Sequence, residues 1–222
     1  LSLHDALPIW LEKNDIDILK EAADLCKNDL VTEMVNEFTK LQGIIGRDYA
    51  LINERKKEVA QAIYEHYLPR YAQDKLPETI YGQILSIVDK MDNITSHFSQ
   101  GIKPSGSQDP FALRRQGTGV VRILSESGLN LSLTKLIKLN LEILNIDDQD
   151  LISEIKEFLL QRTRKKMEDN GIRYDVINAT INVNNEVISD VMARSEAVMD
   201  IREENPSLFI DLIRGLVRAK NL

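Results

Sequence analysis

Apolar residues at helical spacing recur along almost the whole chain, and this pattern restricts the fold more than any other feature. Residues 80–98 show it best, because one side of the predicted helix carries Ile84, Ile87, Val88, Met91 and Ile94. Only 10 glycines and 6 prolines occur among the 222 residues, so few positions interrupt regular structure. The sequence therefore predicts an all-α protein.

The predicted helices form two groups. The first group comprises 15–36, 54–67, 80–98, 111–125 and 133–145. An acidic junction at 145–150 then precedes the second group, which comprises 151–170, 175–183, 186–202 and 206–220. We place a domain boundary at this junction, so that one domain covers 10–146 and the other 147–222.

Charge and cysteine content exclude several classes of protein. The net charge of −7 argues against a protein that coats nucleic acid, so any RNA contact must be a local basic patch. The single cysteine, Cys26, has no partner for a disulfide or a four-cysteine zinc site, and we predict that it is buried as a small apolar side chain. No apolar run approaches the roughly 20 residues that span a bilayer. A cytoplasmic location is therefore expected.

Residues 103–115 (KPSGSQDPFALRR) combine a proline- and glycine-containing loop with the start of a helix. Asp109 is the predicted N-cap and Pro110 the predicted first helical residue. The loop delivers Arg114 and Arg115 to the first turns of the helix, where the helix dipole disfavours cations. Two interpretations stay open: the arginines bind an anionic ligand, or they belong to a solvated helix start with intrahelical ion pairs.

Together with that loop and helix, four ordered motifs resemble the beta subunit of the bacterial heterotetrameric glycyl-tRNA synthetase. The motifs are 26–38 (CKNDLVTEMVNEF), 41–47 (LQGIIGR), 65–70 (EHYLPR) and 89–92 (DKMD). The resemblance runs from about Trp10 to the C-terminus, and it implies an internal piece of a much longer subunit. Residues 1–9 do not fit the family and are interpreted as an adapter-derived scar.

The resemblance also implies the fold of each domain. Residues 10–146 are expected to form an HD-domain-like helical bundle. Residues 147–222 are expected to be the N-terminal part of the C-terminal tRNA-binding domain, a helical anticodon-binding-type domain that is truncated here.

Enzymes with the HD-domain fold hold a divalent metal with a histidine, a His-Asp pair and a later aspartate. In this chain Asp89 is the plausible later aspartate, but residues 27–29 read Lys-Asn-Asp where the His-Asp pair would be sought. A protonated lysine cannot bind a metal ion. We therefore predict a catalytically inactive scaffold, with His66 packed beside Tyr67 and Pro69 rather than acting as a ligand.

The resemblance implies a tRNA-binding role. The beta subunit binds tRNA(Gly) and presents it for ATP-dependent aminoacylation with glycine by the alpha subunit. The expected partners are the alpha subunit and tRNA(Gly), without membrane or DNA. No cofactor is expected in this part of the enzyme, whereas the whole enzyme uses ATP and Mg²⁺.

Basic side chains are the candidates for RNA contacts, because phosphates dominate such interfaces. They are Arg47, Lys103, Arg114 and Arg115 in the first domain, and Arg162, Arg164, Lys165 and Lys166 in the second. The second set is the densest basic run, but it is also typical of the solvated end of a helix.

Two other functions stay open from the sequence. One is a metal-dependent HD-type phosphohydrolase, which would need metal ligands that the sequence does not supply. The other is a scaffold that docks the alpha subunit without contacting RNA. The acidic composition favours the scaffold, whereas clustering of Arg47, Lys103, Arg114 and Arg115 on one surface would favour RNA binding.

Overall fold

A computed structural model describes the backbone of residues 11–220 and all their side chains except those of 216, 217, 219 and 220. Regular structure in this range consists of helices, without a β-strand, so the all-α prediction is confirmed. The helices are α1 (Lys13–Leu25), α2 (Glu33–Glu37), α3 (Ile44–Ile52), α4 (Lys57–Glu65), α5 (Ile80–Ser99), α6 (Leu113–Glu126), α7 (Leu133–Ile143), α8 (Gln149–Asp169), α9 (Tyr174–Ile181), α10 (Ile188–Glu204) and α11 (Pro206–Lys220). Predicted helices 80–98 and 206–220 agree closely with α5 and α11.

The prediction of one helix over 15–36 is wrong. This segment divides into α1, a 3-10 turn at Asn28–Val31 and α2. The buried carboxylate of Asp29 accepts a hydrogen bond from the Gly43 amide at 2.6 Å, and the Thr32 hydroxyl caps α2 by accepting from the Val35 amide. Polar side chains that bond to backbone groups in this way compete with continuation of a helix.

Helix α3 is absent from the predicted segments, because Gly43 and Gly46 look like helix breaks in the sequence. Gly43 does precede the helix, with φ at +77°, but Gly46 lies inside it. A Cβ at Gly46 would lie 2.8 Å from Cγ2 of Ile63. Gly46 therefore permits α3 to pack closely against α4. The sequence around Gly46 does not show this role, because it depends on Ile63 in another helix.

The start of α6 also differs from the prediction. The helix begins at Leu113 rather than Pro110, after Ala112 adopts a left-handed conformation with φ at +53°. The Asp109 carboxylate nevertheless accepts from the amides of Leu113 and Arg114, at 2.7 and 3.0 Å. Asp109 thus satisfies the free amides of the first helical turn, which is the role of an N-cap, although it lies four residues before the helix begins.

Two clusters of buried apolar side chains form the core. The smaller joins α1, α3, α4 and the first turns of α5, and it includes the buried Cys26. The larger joins α5 to α10, from Ile87 to Met192. Helices on both sides of residue 146 contribute to the larger cluster. Such contacts would form within one continuous domain and equally between two tightly packed domains. The domain boundary at 146 therefore stays a prediction.

In the last helix, the side chains that the structure describes are largely exposed. Helix α11 contacts α10, and Leu208, Ile210 and Leu212 on it are each about half exposed. Within residues 11–220, no helix combines the length and the apolar character that a membrane span requires.

Candidate nucleic-acid interface

Helices α6 and α8 bring cationic side chains to the two sides of one groove. Its cations are Arg114, Arg122, Arg162, Lys165 and Lys166, and its one carboxylate is Asp169. We refer to these residues as the basic groove, which has a volume of about 380 Å³. Four of the eight predicted RNA contacts, Arg114, Arg162, Lys165 and Lys166, therefore line one surface.

A glycine allows the two helices to approach at this groove. A Cβ at Gly117 would lie 2.8 Å from the ring of Phe158 and 3.4 Å from Cδ of Arg162. The Arg162 guanidinium lies over the Phe158 ring at 4.1 Å and donates to the Phe158 carbonyl at 2.7 Å. These contacts hold Arg162 in one orientation beside the helix that carries Arg114.

The electrostatics of the groove favour an anionic ligand. Burial lowers the pKa of Arg162, and the neighbouring positive charge of Arg114 lowers it further. An arginine stays charged in spite of such a shift, because the pKa of its guanidinium is ordinarily above 12. The two guanidinium groups therefore repel each other, and a phosphate between them would relieve that repulsion.

Arg122 was not among the predicted contacts. Its Nη1 donates to the carbonyls of Ala72 and Asp74, both at 2.8 Å, and so holds the loop of residues 70–76 against α6. Arg114 and Arg122 are eight residues apart on α6 and share a face of it. Helical spacing from Arg114 could have identified Arg122 from the sequence.

The two lysines of the groove pair with carboxylates near the surface. Lys165 Nζ lies 2.9 Å from Asp169, and Lys166 Nζ lies 2.7 Å from Glu126. The Lys165 side chain is 69% exposed. An exposed pair such as that of Lys165 contributes little to stability, so a phosphate competes easily for Lys165, whereas the Lys166 side chain is only 17% exposed.

The other four predicted contacts lie outside the groove. Arg115 lines a separate pocket together with Arg70. Arg47 pairs with Asp48 and lies 5.1 Å from the centroid of the Tyr64 ring.

Two of these four form pairs elsewhere. Lys103 pairs with Glu154 at 2.6 Å, and Arg164 donates to the Asn178 side chain at 2.5 Å. The structure therefore gathers only part of the predicted set, and the RNA contacts of all eight residues stay predictions.

Lys27 and Asp89, which the HD-domain comparison singled out, are in direct contact. The Lys27 ammonium lies 2.6 Å from Oδ1 of Asp89, where its charge neutralises the carboxylate. His66 is fully buried, and its ring packs against that of Tyr67 with 3.9 Å between centroids and 43° between the ring planes. Among residues 11–220, no cluster of three or more histidine, cysteine or acidic side chains could hold a metal ion. These residues do not fit a divalent metal.

Comparison with known proteins decides the family. Residues 3–182 match the family described as glycyl-tRNA synthetase beta subunit. The chain belongs to this family. The match begins within residues 1–9, which lie outside the described part of the structure, and their interpretation as an adapter-derived scar stays a prediction.

Curated relatives in this family are similar along nearly the whole chain. The glycine-tRNA ligase beta subunit of Halothermothrix orenii is 58% identical over 212 residues, which are 96% of this chain and 31% of the relative. That of Desulforamulus reducens is 44% identical over 99% of this chain and 32% of the relative. That of Halalkalibacterium halodurans is 38% identical over 93% of this chain and 30% of the relative. The chain thus spans about a third of the length of these relatives.

The buried His66 gives this family member an expected sensitivity to acid. Burial lowers the pKa of His66 below its ordinary value of 6.5, so the folded state holds the imidazole neutral. The unfolded chain binds a proton near pH 6.5. The contribution of neutral His66 to the free energy of unfolding is therefore complete above that pH. It falls as the pH drops towards the lowered pKa, by at most about 1.4 kcal/mol per pH unit.

Replacing His66 with glutamine removes this titration. Urea unfolding of both proteins between about pH 7.5 and about pH 5 is expected to show a shallower loss of stability in His66→Gln than in the wild type. The glutamine variant has a lower starting stability, so the slopes rather than the absolute values are compared. Parallel slopes would show that His66 has the same pKa in the folded and unfolded states and would contradict the effect of its burial.

Proposed function

We propose that this chain is a tRNA-binding part of a glycine-tRNA ligase beta subunit. It binds tRNA(Gly) and presents it to the alpha subunit, which joins glycine to it with ATP. The basic groove carries this proposal, because it concentrates five cations on one surface of a chain whose net charge is −7. Such a local patch suits binding of one RNA in one orientation, since the rest of the acidic surface repels phosphates.

In this proposal the chain contributes to aminoacylation by positioning the tRNA. Holding the tRNA in one orientation converts a bimolecular encounter with the active site of the alpha subunit into an oriented reaction. Arg114 and Arg162 supply planar guanidinium groups, which bind phosphate oxygens in pairs. ATP and Mg²⁺ are used by the whole enzyme at a site outside this chain. The enzyme acts in the cytoplasm.

The two alternative functions receive less support. A metal-dependent phosphohydrolase would need a free carboxylate at Asp89, whose partner is the Lys27 ammonium. A scaffold that contacts no RNA gives no reason for Arg114 and Arg162 to lie together beside one groove. The convergence of cations is what favours RNA binding.

Direct binding of fluorescently labelled tRNA(Gly) tests the proposal. Unlabelled tRNA(Gly) is expected to displace the label at a clearly lower concentration than duplex DNA with the same number of phosphates. The reason is that proteins recognise RNA by its shape and its 2′-hydroxyl groups as well as by its charge. Absence of binding, or equal displacement by the DNA, would contradict the proposal.

A further inference from the structure

A second, smaller pocket lies beside the basic groove. Arg115 lines it, together with Gln42, Tyr67, Pro69, Arg70 and part of α5. We call it the Arg115 pocket. Its volume is about 310 Å³, at the lower end of the range for small-ligand pockets, so it suits a phosphate group with its sugar better than a large cofactor.

The pocket carries a net positive charge. Its cations are Arg70, Arg115 and Lys90, and its one carboxylate, Asp89, is already neutralised by Lys27 at 2.6 Å. Arg115 belongs to none of the ion pairs formed among residues 11–220. Arg70 likewise forms no ion pair among residues 11–220, so neither guanidinium group of the pocket is paired with a carboxylate.

Arg70 is held in place at the edge of the pocket. Its Nη2 donates to the Gln42 carbonyl at 2.9 Å, and its own amide donates to the Asp74 carboxylate at 2.7 Å. The carbonyl uses one of the five N–H groups of the guanidinium and leaves the others for a ligand. Arg70 is thus oriented before any ligand arrives.

Lys90 supplies a fixed charge beneath the pocket. The residue is only 5% exposed, and its ammonium donates to the carbonyls of His66 and Leu68 and to the Ser86 hydroxyl, at 3.1, 3.0 and 2.8 Å. All three acceptors are neutral, so they orient the ammonium without cancelling its charge. Burial lowers the pKa of Lys90 to about 8; the carboxylate of Asp89 opposes this shift, and the positive charge of Arg115 adds to it. An anion in the pocket would act in the same direction as Asp89 and keep the Lys90 ammonium charged.

The approach of α6 to Lys90 depends on another glycine. A Cβ at Gly119 would lie 3.1 Å from Cε of Lys90 and 3.4 Å from Cγ of Pro69. Gly119 therefore makes room for the lysine stem under the pocket. Lys90 is built into the core of this region rather than placed on its surface.

We propose that the Arg115 pocket binds a single phosphate group of the RNA, held by Arg115 and Arg70 above the charge of Lys90. The inference rests on the proposed function, because the bound RNA supplies the phosphate. Cations continue outward from the pocket, since Arg70, Arg47 and Lys75 lie 5.8, 5.1 and 5.2 Å from the Tyr64 ring. A nucleic-acid backbone leaving the pocket would follow this positive surface.

Two measurements on the same variants test the inference. The first is the Tm in inorganic phosphate against chloride at equal ionic strength, and the second is the affinity for tRNA(Gly). The variants are Arg115→Gln and, as a control, Arg55→Gln, whose exposed arginine lines neither the groove nor the pocket. Phosphate is expected to raise the Tm of the wild type and of Arg55→Gln by more than it raises the Tm of Arg115→Gln, which keeps the basic groove and the general stabilising effect of phosphate. Arg115→Gln is also expected to weaken tRNA binding about tenfold.

Each other outcome separates the pocket from the proposed function. An equal effect of phosphate on the Tm of all three proteins would overturn the phosphate site. A phosphate effect that depends on Arg115, with unchanged tRNA affinity in Arg115→Gln, would assign the pocket to free phosphate and overturn the RNA assignment. A phosphate effect that depends on Arg115, without tRNA binding by any of the proteins, would overturn the proposed function and the RNA assignment while keeping the phosphate site.

Discussion

Replacing Gly82 with alanine is expected to lower the free energy of unfolding by roughly 3 kcal/mol or more. A Cβ at this position would lie 2.0 Å from Oε2 of Glu65 and 2.5 Å from its Cβ. Glu65 is 1% exposed, and its carboxylate accepts from the amides of Glu78 and Thr79 and from the Thr79 hydroxyl. The methyl group must therefore displace a buried carboxylate that organises the start of α5, leaving those donors without their acceptor.

Urea unfolding followed by circular dichroism measures this loss. Gly215→Ala is the matched control, because it makes the same substitution in α11, where a Cβ would have no neighbour within 4 Å. The control is expected to raise stability slightly, by up to about 1 kcal/mol, through the helix propensity of alanine. A Gly82→Ala protein as stable as the wild type would mean that Glu65 relocates freely and that the contact between α4 and α5 is loose.

Removing three cations from the basic groove is expected to weaken tRNA(Gly) binding roughly 100-fold. The variant carries Arg114→Gln, Arg162→Gln and Lys165→Gln, which keep polar side chains of similar length. The expected loss is large because the three side chains come from both walls of the groove and would contact different phosphates. Fluorescence anisotropy with labelled tRNA(Gly) measures the affinity.

The control for this variant removes the same charge from another surface. It carries Arg55→Gln, Lys135→Gln and Lys138→Gln, all at exposed positions outside the groove. Both triple variants have a net charge three units more negative than the wild type, so long-range repulsion of RNA is matched. An equal loss of affinity in the two variants would show that only overall charge matters and would contradict the groove assignment.

Helical periodicity was sufficient to predict the fold class and several helices. Segments such as 80–98 carry their apolar stripe within the local sequence, and α5 follows it closely. The break after α1 could not be predicted in this way, because the partner of Asp29 is the amide of Gly43, which belongs to the next part of the chain. The interior position of Gly46 likewise depends on Ile63 in another helix.

The sequence predicts several of the individual basic residues of the candidate interface, but not which of them lie close together. Charge alone identifies Arg114 and the basic run at 162–166. Their proximity in space, however, depends on the contact between Gly117 and Phe158. Arg162 and Arg164 are two positions apart on α8, which turns them about 200° from each other. Arg164 therefore faces Asn178 rather than the groove, a separation that helical geometry alone predicts.

The most direct test of the central claim is the salt dependence of tRNA(Gly) binding by the wild type and the two triple variants. A protein that neutralises phosphates releases counterions, so the logarithm of its binding constant falls linearly with the logarithm of salt concentration. We expect the slope to become shallower by about 3 in the groove variant, about 1 for each lost phosphate contact, and to stay unchanged in the control variant. Equal slopes in all three proteins would show that the groove does not contact phosphates and would contradict the account.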